Sequence, residues 1–159
     1  PERDWAERLT TECGAPHCLV PWSAHRVSTA KDGSEAVEEI TARLARLFSV
    51  ADVVETRVNY YADGDDFKPH HQDKNAFNLS AGNVTVGASF GAPRILEFRS
   101  LASPTAVSFV QRDGDVFAFD GSVNAAFSHA VPRASTRSRR WSVVLWGWTA
   151  RPVARALDS

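Results

Sequence analysis

The sequence has few or none of the residues and segments that mark several classes of protein. Its 159 residues include no methionine, two cysteines and two tyrosines. No apolar run approaches the roughly 18 residues that a membrane-spanning helix needs, and the N-terminal stretch has no hydrophobic signal region. These absences predict an intracellular protein, cytoplasmic or nuclear, with no membrane partner. The missing initiator methionine predicts a chain trimmed or cut from a longer one.

The two cysteines are too few for a disulfide framework. Cys13 and Cys18 are spaced C-x4-C with His17 between them. A zinc site would need two more ligands nearby, and none is close in the sequence. We therefore expect free thiols in a reducing compartment, with a disulfide as the alternative.

The charge of the chain is balanced, with a formal net charge of -1 and an isoelectric point of about 6.6. A dedicated non-specific nucleic-acid binder would be basic overall, so the composition gives no support to that role. One basic cluster stands out, formed by Arg133, Arg137, Arg139 and Arg140. It is a candidate for contacting a nucleic-acid backbone, and a solvated loop is the alternative.

Periodicity divides the chain, which is long enough for a single domain, into a helical N-terminal part and a β-rich remainder. Residues 13–33 carry no clear pattern, and Ser34 is a plausible N-cap for an amphipathic helix over residues 35–48. After residue 51, short β-rich runs alternate with turns, at residues 53–61, 84–90, 95–98, 106–110, 116–119, 125–129 and 141–148. The sequence predicts a mostly β jelly roll over residues 53–148, preceded by a helical and short lid region over residues 1–52.

One constellation is suited to holding a metal. On a strand, His71 and Asp73 would point to the same face and His70 to the other. His129 is the sole histidine after position 71 and is the candidate third ligand. Two imidazoles and one carboxylate are the donor set of non-haem iron(II) oxygenases. The same ligands suit catalytic zinc, and two unrelated histidines are a further alternative.

The surrounding motifs resemble those of the AlkB family of iron(II)- and 2-oxoglutarate-dependent dioxygenases. Asn59-Tyr60-Tyr61-Ala62-Asp63-Gly64 and His71-Gln72-Asp73-Lys74 resemble its N-x-Y-x-x-G and H-x-D-x blocks. Further matching blocks are Val86-Gly87-Ala88-Ser89-Phe90-Gly91-Ala92-Pro93-Arg94 with Phe98-Arg99, Gly114-Asp115-Val116, Ser128-His129-Ala130-Val131-Pro132 and Arg140-Trp141-Ser142-Val143. The blocks occur in the family's order over residues 53–148.

The resemblance implies a double-stranded β-helix and an oxidative reaction that uses iron(II), 2-oxoglutarate and dioxygen. His71, Asp73 and His129 would be the iron ligands. Arg140 would pair with the distal carboxylate of 2-oxoglutarate, where a planar guanidinium makes a bidentate contact. The resemblance also places Tyr61, Asn59 and Ser142 among the cosubstrate contacts. The substrate contacts that we expect are Lys74, Asn75, Arg94 and Arg99.

Two features depart from the family's pattern. Trp146 stands where the last strand usually carries a second arginine, so one cosubstrate contact is missing or supplied by another group. The N-terminal region holds no tyrosine, whereas the family's nucleic-acid enzymes carry an aromatic lid there to stack the flipped base. Trp22 and His25 are the candidates for a reduced lid.

The sequence therefore predicts a dioxygenase that oxidatively demethylates alkylated nucleobases in DNA or RNA. The first alternative is hydroxylation of a protein side chain or a small metabolite, since the spacing from Tyr61 to Asp73 also loosely resembles prolyl hydroxylases. The second alternative is a catalytically silent β-sandwich binding module, which the departure at Trp146 would suit.

Overall fold

The computed structural model describes residues 4–73 and 82–149 of the chain. The helices in these ranges are α1 (Trp5–Cys13), α2 (Glu35–Leu47) and α3 (Gly121–Ala126), with a short 3-10 turn at Pro16–Cys18. The strands are β1 (Leu19–Trp22), β2 (His25–Ser28), β3 (Val50–Tyr61), β4 (Lys68–His71), β5 (Val84–Gly91), β6 (Arg94–Ser100), β7 (Ala106–Gln111), β8 (Val116–Asp120), β9 (Phe127–Val131) and β10 (Arg140–Thr149). None of these helices is long and apolar enough to cross a bilayer.

The strands form two antiparallel sheets that face each other. The larger sheet has the order β1-β2-β3-β10-β5-β8, and the smaller has the order β4-β9-β6-β7. Strand β10 lies at the centre of the larger sheet and pairs along most of its length with β3 and β5. This arrangement confirms the predicted mostly β, jelly-roll fold.

The two longer helices begin at side chains that cap their free backbone N–H groups. Ser34 Oγ accepts from the N–H of Val37 at the start of α2, and Asp4 Oδ1 accepts from the N–H of Glu7 in α1. The predicted helix over residues 35–48 is confirmed as Glu35–Leu47.

Alternation along β10 gives the larger sheet two different faces. Trp141, Val143 and Leu145 are fully buried against the helices. This core also includes Leu9, Cys13, Ala36, Val37, Ile40, Leu44, Val50, Val58, Val86, Ala88 and Phe90. Arg140, Ser142, Val144 and Trp146 point the other way and line a cavity between the sheets. Both cysteines are free thiols, as predicted.

Two secondary-structure predictions are wrong. Residues 13–33 are not irregular, because they contain β1 and β2, which extend the larger sheet as a hairpin. Pro21 lies in β1 at the sheet edge, the place where a strand tolerates a residue without an N–H. The strand predicted over residues 125–129 instead begins at Phe127, because Asp120 caps α3 through its side chain and the helix continues to Ala126.

The burial of Leu145 predicts a large contribution to stability, and an exposed leucine, Leu47, provides the matched control. Leu145→Ala should lower the free energy of unfolding by about 2–5 kcal/mol, because it leaves a cavity in the centre of the main sheet. Leu47→Ala, at a leucine that is 64% exposed on α2, should change it by less than about 0.5 kcal/mol. Urea denaturation measures both. Equal losses would show that Leu145 does not lie in the core.

Candidate metal centre

The three predicted metal ligands come together between the two sheets. His71 ends β4 and pairs with His129 on β9, and Asp73 follows two residues later. The Nε2 atoms of His71 and His129 lie 3.6 and 3.5 Å from Asp73 Oδ1. One ligand atom from each residue falls within 4.8 Å of the other two. An octahedral ion with ligands at about 2.1 Å separates neighbouring ligand atoms by about 3 Å, so a small contraction would complete the site.

A β-bulge, not a regular strand, turns His71 inward. The register places Lys68 opposite Val131 and His71 opposite His129, so β4 has one extra residue between the two pairs. His70 faces outward, where its Nε2 lies 2.8 Å from Glu97 Oε1. The outward direction of His70 agrees with the sequence prediction. The expected cause, a strand that continues through Asp73, is wrong because β4 ends at His71.

The carboxylate of Asp73 is held so that one oxygen faces the ligand cluster. Its Oδ2 accepts from Thr85 Oγ1 at 3.1 Å and from Trp146 Nε1 at 3.0 Å. Its Oδ1 is the atom nearest both histidines. Hydrogen-bonded partners of this kind fix the orientation of metal ligands, and this pair favours binding through Oδ1 alone.

The backbone of Asp73 is fixed as firmly as its side chain. The Asp73 N–H donates to Asn124 Oδ1 at 2.9 Å, and Asn124 Nδ2 donates to the Asp73 carbonyl at 3.1 Å. Gln72 Nε2 donates to the Asn124 carbonyl at 2.7 Å. Asn124 is almost fully buried in α3. The short helix therefore anchors the loop that carries the carboxylate ligand.

Both histidines present Nε2 to the cluster. The Nδ1 of His71 is 2.9 Å from the Pro69 carbonyl, so Nδ1 carries the proton and Nε2 keeps its lone pair for a metal. His129 is buried, and its ring packs against Phe98 and Phe119. These contacts fix both imidazole planes.

Charge around Asp73 favours its ionised form. Burial by itself would raise the pKa of this carboxyl, but its interactions with His129 and His71 and the hydrogen bond from Trp146 outweigh burial and lower the pKa well below its usual range. A bound cation would act in the same direction. The donor set and the ionised carboxylate therefore fit a divalent metal, and the two imidazoles with one carboxylate are the set used for non-haem iron(II).

The predicted cosubstrate residues lie side by side on the cavity face of the larger sheet. Tyr61 pairs with Arg140, and Asn59 pairs with Ser142, across β3 and β10. Ser142 pairs in turn with Ser89 on β5. All four predicted contacts line one cavity of about 400 Å³ that also holds the metal ligands. This size is sufficient for a small organic ligand.

Arg140 has the free hydrogen-bonding capacity that a carboxylate would use. Its guanidinium is buried, Nε donates to Ser89 Oγ at 2.8 Å, and Nη1 finds no hydrogen-bond partner among the described residues. Burial raises the pKa of the Tyr61 hydroxyl, so this group stays protonated and can donate beside Arg140. A buried guanidinium with an open donor and a neighbouring phenol fits the distal carboxylate of 2-oxoglutarate.

His25 supports this wall and is not part of a lid. It is buried, stacks on the Tyr61 ring at 5.0 Å, and its Nε2 lies 3.0 Å from Asn59 Oδ1. Burial lowers the pKa of His25 to about 4, so the ring is neutral at neutral pH and Nε2–H donates to the amide oxygen. Trp22 is 47% exposed and lines the opening of the cavity, where the sequence predicted a lid aromatic.

The structure corrects two of the four predicted substrate contacts. Arg94 is buried, and its guanidinium donates to the backbone carbonyls of Asp63, Asp66 and Pro132, so it braces a loop instead of facing a substrate. Arg99 lies on β6 next to Phe98, whose ring contacts His129, so alternation turns Arg99 to the outer face of the smaller sheet. Lys74 and Asn75 lie outside the described residues.

The sequence profile of the 2OG-Fe(II) oxygenase superfamily matches residues 9–151, and the chain belongs to this superfamily. Membership implies iron(II) and 2-oxoglutarate, which the donor set and Arg140 fit. The match covers the ligand candidates and the cosubstrate wall. A comparison with curated proteins finds no significant match.

Solved structures similar to this chain include Drosophila melanogaster CENP-C bound to CAL1. That similarity has a TM-score of 0.53 and 7% identity, and it covers 87% of this chain and 92% of the other. The Drosophila melanogaster CENP-C cupin domain gives a TM-score of 0.48 at 7% identity, covering 79% of this chain and 71% of that one. At such identity the first similarity supports the fold alone.

Trp146 makes a testable contribution to the metal centre. Trp146→Phe keeps a ring on the cavity floor but removes the N–H that holds Asp73 Oδ2. We expect metal affinity to fall about tenfold to a hundredfold, the usual effect of losing a partner that orients a ligand. Titration with cobalt(II) measures the affinity.

Trp141→Phe is the matched control, because it removes an indole hydrogen bond to Thr10 Oγ1 on the opposite face of the same strand. It should leave metal affinity unchanged. Equal affinity in both variants would contradict the role given to Trp146.

Proposed function

We propose that the chain is an iron(II)- and 2-oxoglutarate-dependent dioxygenase of AlkB-like type that demethylates alkylated nucleobases. The main support for this proposal is that His71, Asp73 and His129 share one cavity with Arg140, whose buried guanidinium has one Nη1 without a hydrogen-bond partner among the described residues. A metal and a dicarboxylate would occupy the two ends of this cavity. With iron bound, dioxygen would be the oxidant: one of its oxygen atoms would go to the succinate formed as 2-oxoglutarate loses carbon dioxide, and the other would enter the substrate C–H bond.

The protein's own groups would position the reactants and control charge. Arg140 and Tyr61 would bind the distal carboxylate, and Ser89 would orient the guanidinium through its 2.8 Å hydrogen bond. Thr85 and Trp146 would keep Asp73 Oδ2 engaged so that Oδ1 faces the metal. Hydroxylation of an N-methyl group would give an N-hydroxymethyl group, which breaks down to the free N–H and formaldehyde.

Two features support a nucleobase as the substrate. The blocks from Asn59 to Ser142 resemble AlkB motifs in order, and Trp22 offers a half-exposed indole at the cavity opening where a planar base would stack. Hydroxylation of a protein side chain or a small metabolite is the alternative on the same site.

A silent binding module is disfavoured by the completeness of the site. Trp146 replaces the family's second arginine, yet it donates to the metal-facing carboxylate instead of leaving that carboxylate unsupported. The similarity to CENP-C is one of fold and supports no binding role here.

Arg140 provides the first test of this function. Arg140→Gln should raise the 2-oxoglutarate concentration needed for half-maximal succinate release by about tenfold to a hundredfold, because a hydrogen-bonded charge contact is lost. Arg139→Gln removes an exposed charge at the adjacent position and should have no effect. If neither variant changes the 2-oxoglutarate requirement, the cosubstrate binds elsewhere.

A substrate panel provides the second test. With iron(II), 2-oxoglutarate and ascorbate, the chain should release formaldehyde from N-methylated oligonucleotides and none from N-methylated peptides. Asp73→Ala is the control and should abolish release, because the metal loses its carboxylate ligand. Formaldehyde released from peptides alone would favour the alternative, a hydroxylase of protein side chains. Succinate release that persists in Asp73→Ala would refute the assignment of Asp73 as a metal ligand.

A further inference from the structure

We infer that Lys68 and Arg57 form an anion-binding subsite at the cavity opening, which holds a phosphate or carboxylate group of the primary substrate beside Trp22. The inference rests on the proposed function for what reacts at the metal. It concerns a different part of the cavity from the cosubstrate wall.

The β4 bulge that turns His71 inward also turns Lys68 inward. Lys68 and His71 are three residues apart, but they pair with Val131 and His129, which are two apart on β9 and share one face. Both Lys68 and His71 line the cavity as a result. The fold thus places an ammonium group on the same wall as a metal ligand.

Lys68 has no carboxylate within ion-pair distance in the part of the chain that the structure describes. Its Nζ lies 6.0 Å from the centre of the Trp22 ring, and it is partly buried. Burial, together with the charge of Arg57, lowers the pKa of Lys68, which means that the site disfavours an uncompensated ammonium. An anion bound there would relieve this cost.

Arg57 lies between the opening and the metal centre. Its guanidinium is 4.9 Å from the Trp22 ring centre and 5.4 Å from that of Trp146, and its Nη2 pairs with Glu55 at 2.8 Å. Glu55 compensates part of the Arg57 charge, so Lys68 is the principal cation and Arg57 the secondary one. The guanidinium also fixes the indole of Trp22 against which a planar group would pack.

The charge of the cavity indicates what it would accept. Among the described residues that line it, Asp73 is the one carboxylate, whereas Arg57, Lys68 and Arg140 are cations. A divalent iron, a dianionic 2-oxoglutarate, Asp73 and Arg140 would sum to zero. The remaining positive charge lies at the opening, so the primary substrate is expected to carry negative charge there.

A nucleotide is the substrate that fits both this charge and the proposed function. Its base would pack near Trp22 with the N-methyl group directed to the metal, and its phosphate would lie between Lys68 and Arg57. The carboxylate of an N-methylated amino acid offers the same charge, so the test includes both sources.

The test measures binding without turnover. The full chain, with iron(II) and 2-oxoglutarate and without oxygen, is titrated by calorimetry with 1-methyladenosine 5′-monophosphate, 1-methyladenosine and N-methylphenylalanine. We expect the monophosphate to bind at least tenfold more tightly than the nucleoside. Lys68→Gln should remove that difference, Arg57→Gln should reduce it, and Lys68→Arg should retain it. Arg46→Gln, which removes an exposed cation on α2, should bind like the unaltered chain.

Two results would show that Lys68 binds no anion of the substrate: the nucleotide and the nucleoside bind equally while the amino acid shows no Lys68-dependent binding, or the affinity for the nucleotide is unchanged in Lys68→Gln. A third result would also overturn the subsite, namely that Lys68→Gln weakens the binding of 2-oxoglutarate as much as Arg140→Gln does. The last result would assign Lys68 to the cosubstrate. Lys68-dependent binding of the amino acid in place of the nucleotide would support the subsite and identify a carboxylate as its anion. Lys68-dependent binding without succinate release under oxygen would refute the dioxygenase and leave the subsite standing.

Discussion

Because side chains alternate along strand β10, one face of the strand belongs to the apolar core and the other face belongs to the cavity. Trp141, Val143 and Leu145 make the apolar contacts that attach the helices, and Arg140, Ser142 and Trp146 carry polar groups of the cavity. Because β3 and β5 pair with it on both sides, their residues follow the same division. A one-residue shift of this register would exchange Trp141 with Arg140 and destroy the core and the site together. The site is therefore as stable as the packing of the strand that carries it.

The smaller sheet and the loop that follows β4 hold the three metal-ligand candidates, whereas the larger sheet packs against the helices to form the core. His71 and the loop to Asp73 are fixed by a few directed hydrogen bonds, whereas His129 is fixed by the packing of its ring against Phe98 and Phe119. Asn124 is the clearest case, because one buried amide satisfies both the N–H and the carbonyl of Asp73. Buried polar groups need such partners, so removing the amide would leave two backbone groups unsatisfied.

Sequence reasoning identified the residues that belong to contiguous motifs and missed those defined by long-range contact. His71, Asp73, His129 and Arg140 stand in recognisable blocks, and the structure brings them into one cavity. Thr85 and Asn124 carry no local signal, since they contact Asp73 from 12 and 51 residues away in the sequence.

Lys68 was missed because regular alternation from His71 would turn it outward, and a bulge is not visible in a single sequence. Arg94 and Arg99 were misplaced because a motif gives the strand but not the face or burial.

Trp146 shows how a departure from a family pattern changes a site without emptying it. An arginine at this position would add a full positive charge beside Asp73 and the metal. The indole supplies one directed N–H to Asp73 Oδ2 and no charge. The floor of the cavity is therefore less positive than the arginine would make it, while Arg57 contacts the Trp146 ring from the side of the opening. Without that arginine, the cationic side chains that line the cavity are Arg140 at the cosubstrate wall and Arg57 and Lys68 at the opening. The charge that the metal and cosubstrate would leave uncompensated therefore lies at the opening, which favours a substrate that carries its own anion.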